Sequence, residues 1–209
     1  MNDDEKKTKT SLRILGLPII ILIALSTAFF LYTKSFSKKT EDSSEHHIAM
    51  DTDFRVKLVH SRNTDVSSIF ASVFALVDSI EEAGIPSEYS RQCWIDQDRI
   101  PLSGHSLNLT GEALNWENKS GGAFNPAIGT ITKLWDIPNK GHYIQSTDSV
   151  QIELEKVGTT GQRYIHDDTL YKASTSAFDF GGIAKGYALD RIFERLMSFQ
   201  DAGLIEEFM

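Results

Sequence analysis

Phe178-Asp-Phe-Gly-Gly-Ile-Ala-Lys-Gly-Tyr-Ala-Leu-Asp190 is the stretch on which the fold turns. Two adjacent glycines follow Asp179 and precede Lys185, and Gly186 follows the lysine. Glycine lets a backbone take positive φ and approach a ligand closely. A helix growing out of such a turn offers unpaired N–H groups to an anion. Lys185 adds a mobile positive charge. These residue types suit two roles about equally: a turn facing a phosphate or nucleotide, and a tight strand-to-helix corner with a solvated lysine. The spacing is not that of a P-loop, which needs Gly-x4-Gly-Lys-Ser/Thr, so a Walker-type NTPase is disfavoured. Downstream, Leu189, Ile192, Phe193 and Leu196 give the expected helix one apolar face, and Gly203 ends it. Residues 204–209 begin a further apolar segment.

Working outward, Arg163 to His166 and Leu170 to Lys172 read as two short strands joined at Asp167-Asp168-Thr169. Residues 146–157 carry both a strand-like and a helical period. Ser146 or Thr147 as a cap and Gly158 as a stop favour helix. A second glycine-dense turn, Ser120-Gly-Gly-Ala-Phe-Asn-Pro-Ala-Ile-Gly-Thr130, is followed by Leu134-Trp135. Before it a helix is expected over residues 103–119, with Leu107, Ala113 and Leu114 inward, while residues 86–102 read as irregular. Val66, Ile69, Phe70, Val73, Val77 and Ile80 recur at helical spacing after Thr64, a candidate cap, and Asp65. Gly84 and Pro86 stop that helix. Phe54, Val56 and Leu58 alternate with Arg55 and Lys57 as in a half-buried strand.

The folded part is expected to begin near Met50. Residues 33–49 are mostly Ser, Thr, Lys, Glu and His and read as a linker, with His46 and His47 solvated rather than metal-bound. Residues 14–32 contain no charge and are long enough to cross a bilayer. Residues 1–13 then form a short cytoplasmic tail, and the rest faces the periplasmic or extracytoplasmic side. A signal peptide cleaved near Ser26-Thr27-Ala28 is the rival, but the apolar run continues through Phe29, Phe30 and Leu31. The net charge of −8 argues against general nucleic-acid binding. Cys93 is the only cysteine, so neither an intrachain disulfide nor a cysteine metal cluster can form. Alternating strand and helix signals imply an α/β or α+β chain.

Three stretches carry a resemblance to the ApbE family, the FAD:protein FMN transferases. Met50-Asp51-Thr52 resembles the family's Met-Gly-Thr at the start of the first strand. Ser120 to Gly129, with Leu134-Trp135, resembles its Thr/Ser-Gly-Gly-x-Phe-Asp-Pro-x-x-Gly…Leu-Trp block. Asp179 to Asp190 resembles its Asp-Leu-Gly-Gly-Ile-Ala-Lys-Gly-Tyr-Ala-x-Asp block. The resemblance implies a mixed sheet with flanking helices and a Mg²⁺-dependent transfer of FMN from FAD to a threonine or serine hydroxyl of an acceptor protein, releasing AMP. It places Lys185 near the pyrophosphate and makes the Gly182 carbonyl a magnesium ligand. Met50 and the turn of Gly122, Ala123, Phe124, Asn125 and Pro126 would line the flavin pocket, and Asp179 would shape the site. Residue types alone give Asp179 and Asp190 only capping or salt-bridge roles.

The chain departs from the family pattern at Asp51, where the family has glycine, and at Asn125, where it has aspartate. The family's Ser-Glu-x-Ser-x-x-Asn motif survives as Ser87-Glu-Tyr-Ser90, with Cys93 at the asparagine position. A later glycine-rich turn, and the Asp and Thr/Ser magnesium ligands that follow it in the family, have no counterpart before Met209. The expectation is therefore an incomplete copy with little transferase activity that folds poorly or associates. The alternatives are a degenerate flavin-binding module and an inactive fragment.

Overall fold

A computed structural model describes residues 22–29, 40–84, 97–136 and 144–209. The α+β class is as expected, with the described strands divided between two small antiparallel sheets. The first sheet has the order β1-β2-β6. Strand β1 (Thr40–Ala49) and strand β2 (Thr52–Ser61) form a hairpin in register from Thr40 opposite Ser61 to Ala49 opposite Thr52. Strand β6 (Glu207–Phe208) adds antiparallel to β2, with Phe208 opposite Leu58.

Thr40–Ala49, within what the sequence suggests is linker, is thus part of the fold. Strand β1 has no apolar alternation to announce it. It is ordered by the ladder to β2 and by cross-strand partners. Asp42 pairs with Lys57 at 2.7 Å, Glu41 with Arg62 at 2.6 Å, and Ser43 hydrogen-bonds His60 at 2.8 Å. The two linker histidines are also placed rather than merely solvated. His46 meets Asp53, and His47 meets Asp78 and stacks on Phe74. A charged outer strand also discourages edge-to-edge association. Met50 and Asp51 are accordingly the hairpin turn, and Thr52 begins the second strand of the hairpin rather than the first strand of the fold. Met50 and Asp51 have φ of 51° and 55°, the paired left-handed geometry of a two-residue hairpin loop.

Strand β2 keeps the expected alternation, with Phe54, Val56, Leu58 and His60 buried. Helix α1 (Ser67–Gly84) covers that face through Ile69, Phe70, Val73, Val77 and Ile80, all nearly or fully inaccessible. Ahead of it the Asp65 Oδ1 accepts from the Ser67 amide at 3.1 Å, closing the turn into the helix. The stop at Pro86 and the Ser87–Ser90 and Cys93 positions lie outside the described residues.

Strand β3 (Arg99–Pro101) falls within the stretch expected to be irregular. It is too short to show a period, and it forms because Ile100 can join Leu102, Leu114 and Leu170 in a second core cluster. Strand β3 pairs with β5 (Thr169–Tyr171), which pairs with β4 (Tyr164–His166). Asp167 and Asp168 both have positive φ and form that hairpin's turn as the sequence indicates. Helix α2 (Gly104–Lys119) runs as expected, though Leu109 is its most buried leucine and Leu107 is only partly covered. Helix α3 (Gly129–Leu134) packs on helix α4 (Thr147–Val157). The Ser146 side chain accepts from the Ser149 amide at 3.1 Å, and Gly158 leaves helix α4 with φ 70°.

Helix α5 (Ala184–Asp201) packs on α1. Its buried stripe is Ala184, Tyr187, Ala188, Ile192 and Leu196. Leu189 and Phe193, expected inward, are 57% and 56% exposed. Two alanines on the true inner stripe let α5 approach α1, and Leu189 and Phe193 turn to a groove beside β2 and β6. Residues 22–29 of the apolar run are helical. Among the described residues no helix is long and apolar enough to cross a membrane, and the rest of residues 14–32 lies outside them.

Candidate functional site

The turn over residues 120–129 is folded by its glycines and closed by its polar side chains. Gly121 and Gly122 have φ of 62° and 86°, where any other residue is strained. The Gly122 amide donates to the Glu117 carbonyl at 2.9 Å, and the Phe124 amide donates to Ser120 Oγ at 3.0 Å. Asn125 Oδ1 accepts from the Ala127 amide at 2.9 Å and from Arg163 Nη2 at 3.1 Å. An aspartate would make both contacts with the same oxygen. The neutral Asn125 therefore costs the turn neither bond.

The second turn is built differently. Neither Gly181 nor Gly182 has positive φ. Their smallness is needed for close approach. A Cβ on Gly182 would lie 3.0 Å from Phe124 Cε2, and one on Gly181 would lie 3.0 Å from Asp179 Oδ1. Asp179 Oδ1 accepts from the Gly181 amide at 2.7 Å, so Asp179 shapes this corner by a local side-chain bond. The two turns are then fastened together. The Asp179 amide donates to the Pro126 carbonyl at 2.7 Å, and the Gly129 amide to the Ala177 carbonyl at 2.9 Å.

A cavity of about 710 Å³ opens beside this junction. Gly182, Gly186, Tyr187 and Asp190 form one wall, and Asn108, Glu112 and Trp116 of helix α2 form the other. The volume is in the range of small-molecule and cofactor sites. At its edge His105 Nδ1 and the Tyr187 hydroxyl are 2.9 Å apart, joining the first turns of helices α2 and α5. The Gly182 carbonyl accepts no backbone hydrogen bond among the described residues, which leaves its oxygen available as a ligand.

The other site residues read from the sequence are distributed around this cavity rather than gathered inside it. Phe124 touches Gly182, while Gly122, Ala123, Asn125 and Pro126 stand behind Phe124 in the first turn. Met50 is buried in the same hydrophobic cluster as Phe180 and Ala184, with Phe124 packed against it. Its amide donates to Glu81 Oε1 at 2.9 Å, so helix α1 holds the hairpin turn in place. Lys185 is exposed and lines a second groove of about 680 Å³, with Thr52, Phe54, Leu189 and Phe193 among its walls. Asp190 borders both openings.

Sequence reasoning missed Glu117 and Arg163. Their side chains are almost wholly buried and form a two-pronged ion pair, with Arg163 Nε at 3.0 and 3.1 Å from the two carboxylate oxygens. Nothing in the sequence links two residues so far apart, although a charged residue on the apolar side of helix α2 was a hint. Among the described residues no three His, Cys, Asp or Glu side chains gather as a metal site. Magnesium prefers six oxygens in an octahedron, and the carboxylates among the described residues do not gather into such a set.

Residues 50–206 match the model of the ApbE family. The chain is 32% identical over 109 residues to an FAD:protein FMN transferase of Treponema pallidum (strain Nichols), covering 47% of this chain and 29% of that protein. It is 37% identical over 82 residues to an FAD:protein FMN transferase of Klebsiella pneumoniae (strain 342), covering 37% of this chain and 25% of that one. The fold is similar to flavin transferase ApbE from Vibrio cholerae, with TM-score 0.68 at 18% identity over 82% of this chain and 57% of that chain. It is also similar to the ApbE protein of Thermotoga maritima, with TM-score 0.64 at 23% identity over 77% of this chain and 54% of that chain. At these identities the structural likeness is one of fold. The matched part spans little more than half the length of either solved structure.

Proposed function

The chain belongs to the ApbE family, and from that premise we propose that it serves to move FMN from FAD to a threonine or serine hydroxyl of an acceptor protein. The observation that carries this reading is the junction of the two glycine turns beside a cavity of cofactor size. In the proposed reaction the acceptor oxygen attacks the phosphorus on the FMN side of the pyrophosphate. The bond from that phosphorus to the bridging oxygen breaks, AMP leaves, and the hydroxyl proton passes to water or a base. Negative charge grows on the phosphoryl oxygens, so positive charge nearby lowers the barrier.

Lys185 is the mobile cation for that role. It starts on the groove side of α5, and its flexible stem must turn over the helix end to reach the pyrophosphate. Asp179 is assigned to holding the corner, and Gly122 to Pro126, with Met50 behind them, to shaping the flavin end of the site. Magnesium would supply further charge neutralisation at the phosphoryl oxygens, with Gly182 giving one carbonyl. The described residues do not complete its ligand set, so no step is assigned to it. In this reading residues 14–32 anchor the chain in the cell membrane with the FAD-binding part on the extracytoplasmic side.

The lack of an acidic cluster among the described residues favours one alternative, a chain that holds FAD without chemistry. Incubating the full chain with FAD, Mg²⁺ and an acceptor bearing a flavinylation threonine separates the two. Transferase function yields AMP and covalent flavin in equal amounts. Quenched flavin fluorescence without AMP supports holding alone, and neither signal would sink both readings.

A further inference from the structure

We propose that Arg163 is a positioning residue for the FAD site, acting through Asn125 and Phe124 on Gly182. This rests on the FAD reading above. Arg163 reaches three separate elements at once. Nε and Nη2 bind the Glu117 carboxylate at the end of helix α2. Nη1 donates to the Val157 carbonyl at 2.8 Å, at the end of helix α4. Nη2 also donates to Asn125 Oδ1 at 3.1 Å, in the middle of the first glycine turn.

A fully buried ion pair is a poor source of stability, because removing both charges from water opposes their attraction. Well-packed apolar residues of similar volume often do as well or better. What a planar guanidinium adds is direction, since its N–H groups are fixed relative to one another. Here the Glu117 carboxylate fixes the guanidinium, and the guanidinium fixes Asn125. Asn125 sits next to Phe124, and the Phe124 ring is the surface against which Gly182 closes. The Pro126 carbonyl on the other side receives the Asp179 amide. A shift of Asn125 therefore reaches both sides of the second turn, including the carbonyl at Gly182.

The test compares three variants of the full chain. Glu117→Leu with Arg163→Met removes both charges together. Asn125→Ala leaves the ion pair but cuts its link to the turn. Asn125→Asp keeps the accepting oxygen. FAD affinity is read by flavin fluorescence, global stability by thermal melting, and turn mobility by amide exchange without ligand. The double variant is expected to melt near the wild-type temperature, yet to bind FAD about tenfold more weakly with faster exchange at Gly122, Phe124 and Asp179. Asn125→Ala should behave alike, and Asn125→Asp should recover most of what it loses. A purely structural ion pair would change melting and leave affinity in step with the folded fraction.

Wild-type affinity and exchange in the double variant would overturn the proposal, as would equal losses for Asn125→Ala and Asn125→Asp. If the double variant does not fold, Asn125→Ala decides the matter. If the wild-type chain binds no FAD, the FAD reading fails, and amide exchange still shows whether Arg163 holds the turn.

Discussion

The two glycine turns look alike in sequence, each with a Gly-Gly pair one or two residues after a small polar residue, but they use glycine for different reasons. In the first, Gly121 and Gly122 supply backbone angles that other residues avoid, and a buried arginine and two side-chain acceptors hold the loop. In the second, the backbone angles are ordinary, and the glycines sit where a Cβ would press on Phe124 and on the Asp179 carboxylate. One turn needs conformational freedom and the other needs space. Substitutions by alanine should therefore fail for different reasons and be rescued by different second changes.

The largest effect is expected where the turns are fastened together. A Cβ at Gly129 would lie 2.8 Å from the Ala177 and Phe178 backbone, which cannot rotate away. Gly129→Ala should cost about 3 kcal/mol in chemical denaturation, and no single side-chain truncation should restore it. Gly122→Ala meets both a positive φ and Thr160 Oγ1 at 2.7 Å. Its cost should be about 2 kcal/mol, and adding Thr160→Ala should recover only the contact part. Gly182→Ala presses on the end of a ring that can shift. It should cost about 1 kcal/mol, and Phe124→Leu should relieve it if space is the only problem. Failure of that rescue would break the distinction between the turns. Gly181→Ala should be the mildest, about 0.5 kcal/mol, because only the Asp179 side chain must move.

Much of this fold could be read from periodicity and punctuation. The stripe of Val73, Val77 and Ile80, the alternation in strand β2, the Ser146 cap and the Asp167-Asp168 turn are local signals, and the structure keeps each of them. The misses share a different character. Strand β1 has a linker's composition and becomes a strand because strand β2 offers a ladder and matching charges. Strand β3 is too short for any pattern and depends on Leu170. Helix α5 carries two apolar stripes, and only the position of α1 decides that Ala184 and Ala188 face inward while Leu189 and Phe193 face a groove.

The same division holds for the candidate site. The sequence by itself determined the two glycine turns, their order and their likeness to one family, because backbone turns and short motifs are encoded within a few residues. Only the tertiary structure decided that the turns meet at Phe124 and Gly182, that Lys185 opens on a different groove from Gly182, and that Glu117 and Arg163 stand behind Asn125. Those relations join residues far apart in the chain. They depend on helix placement and on the need to pair buried charge, and neither is written in a local pattern.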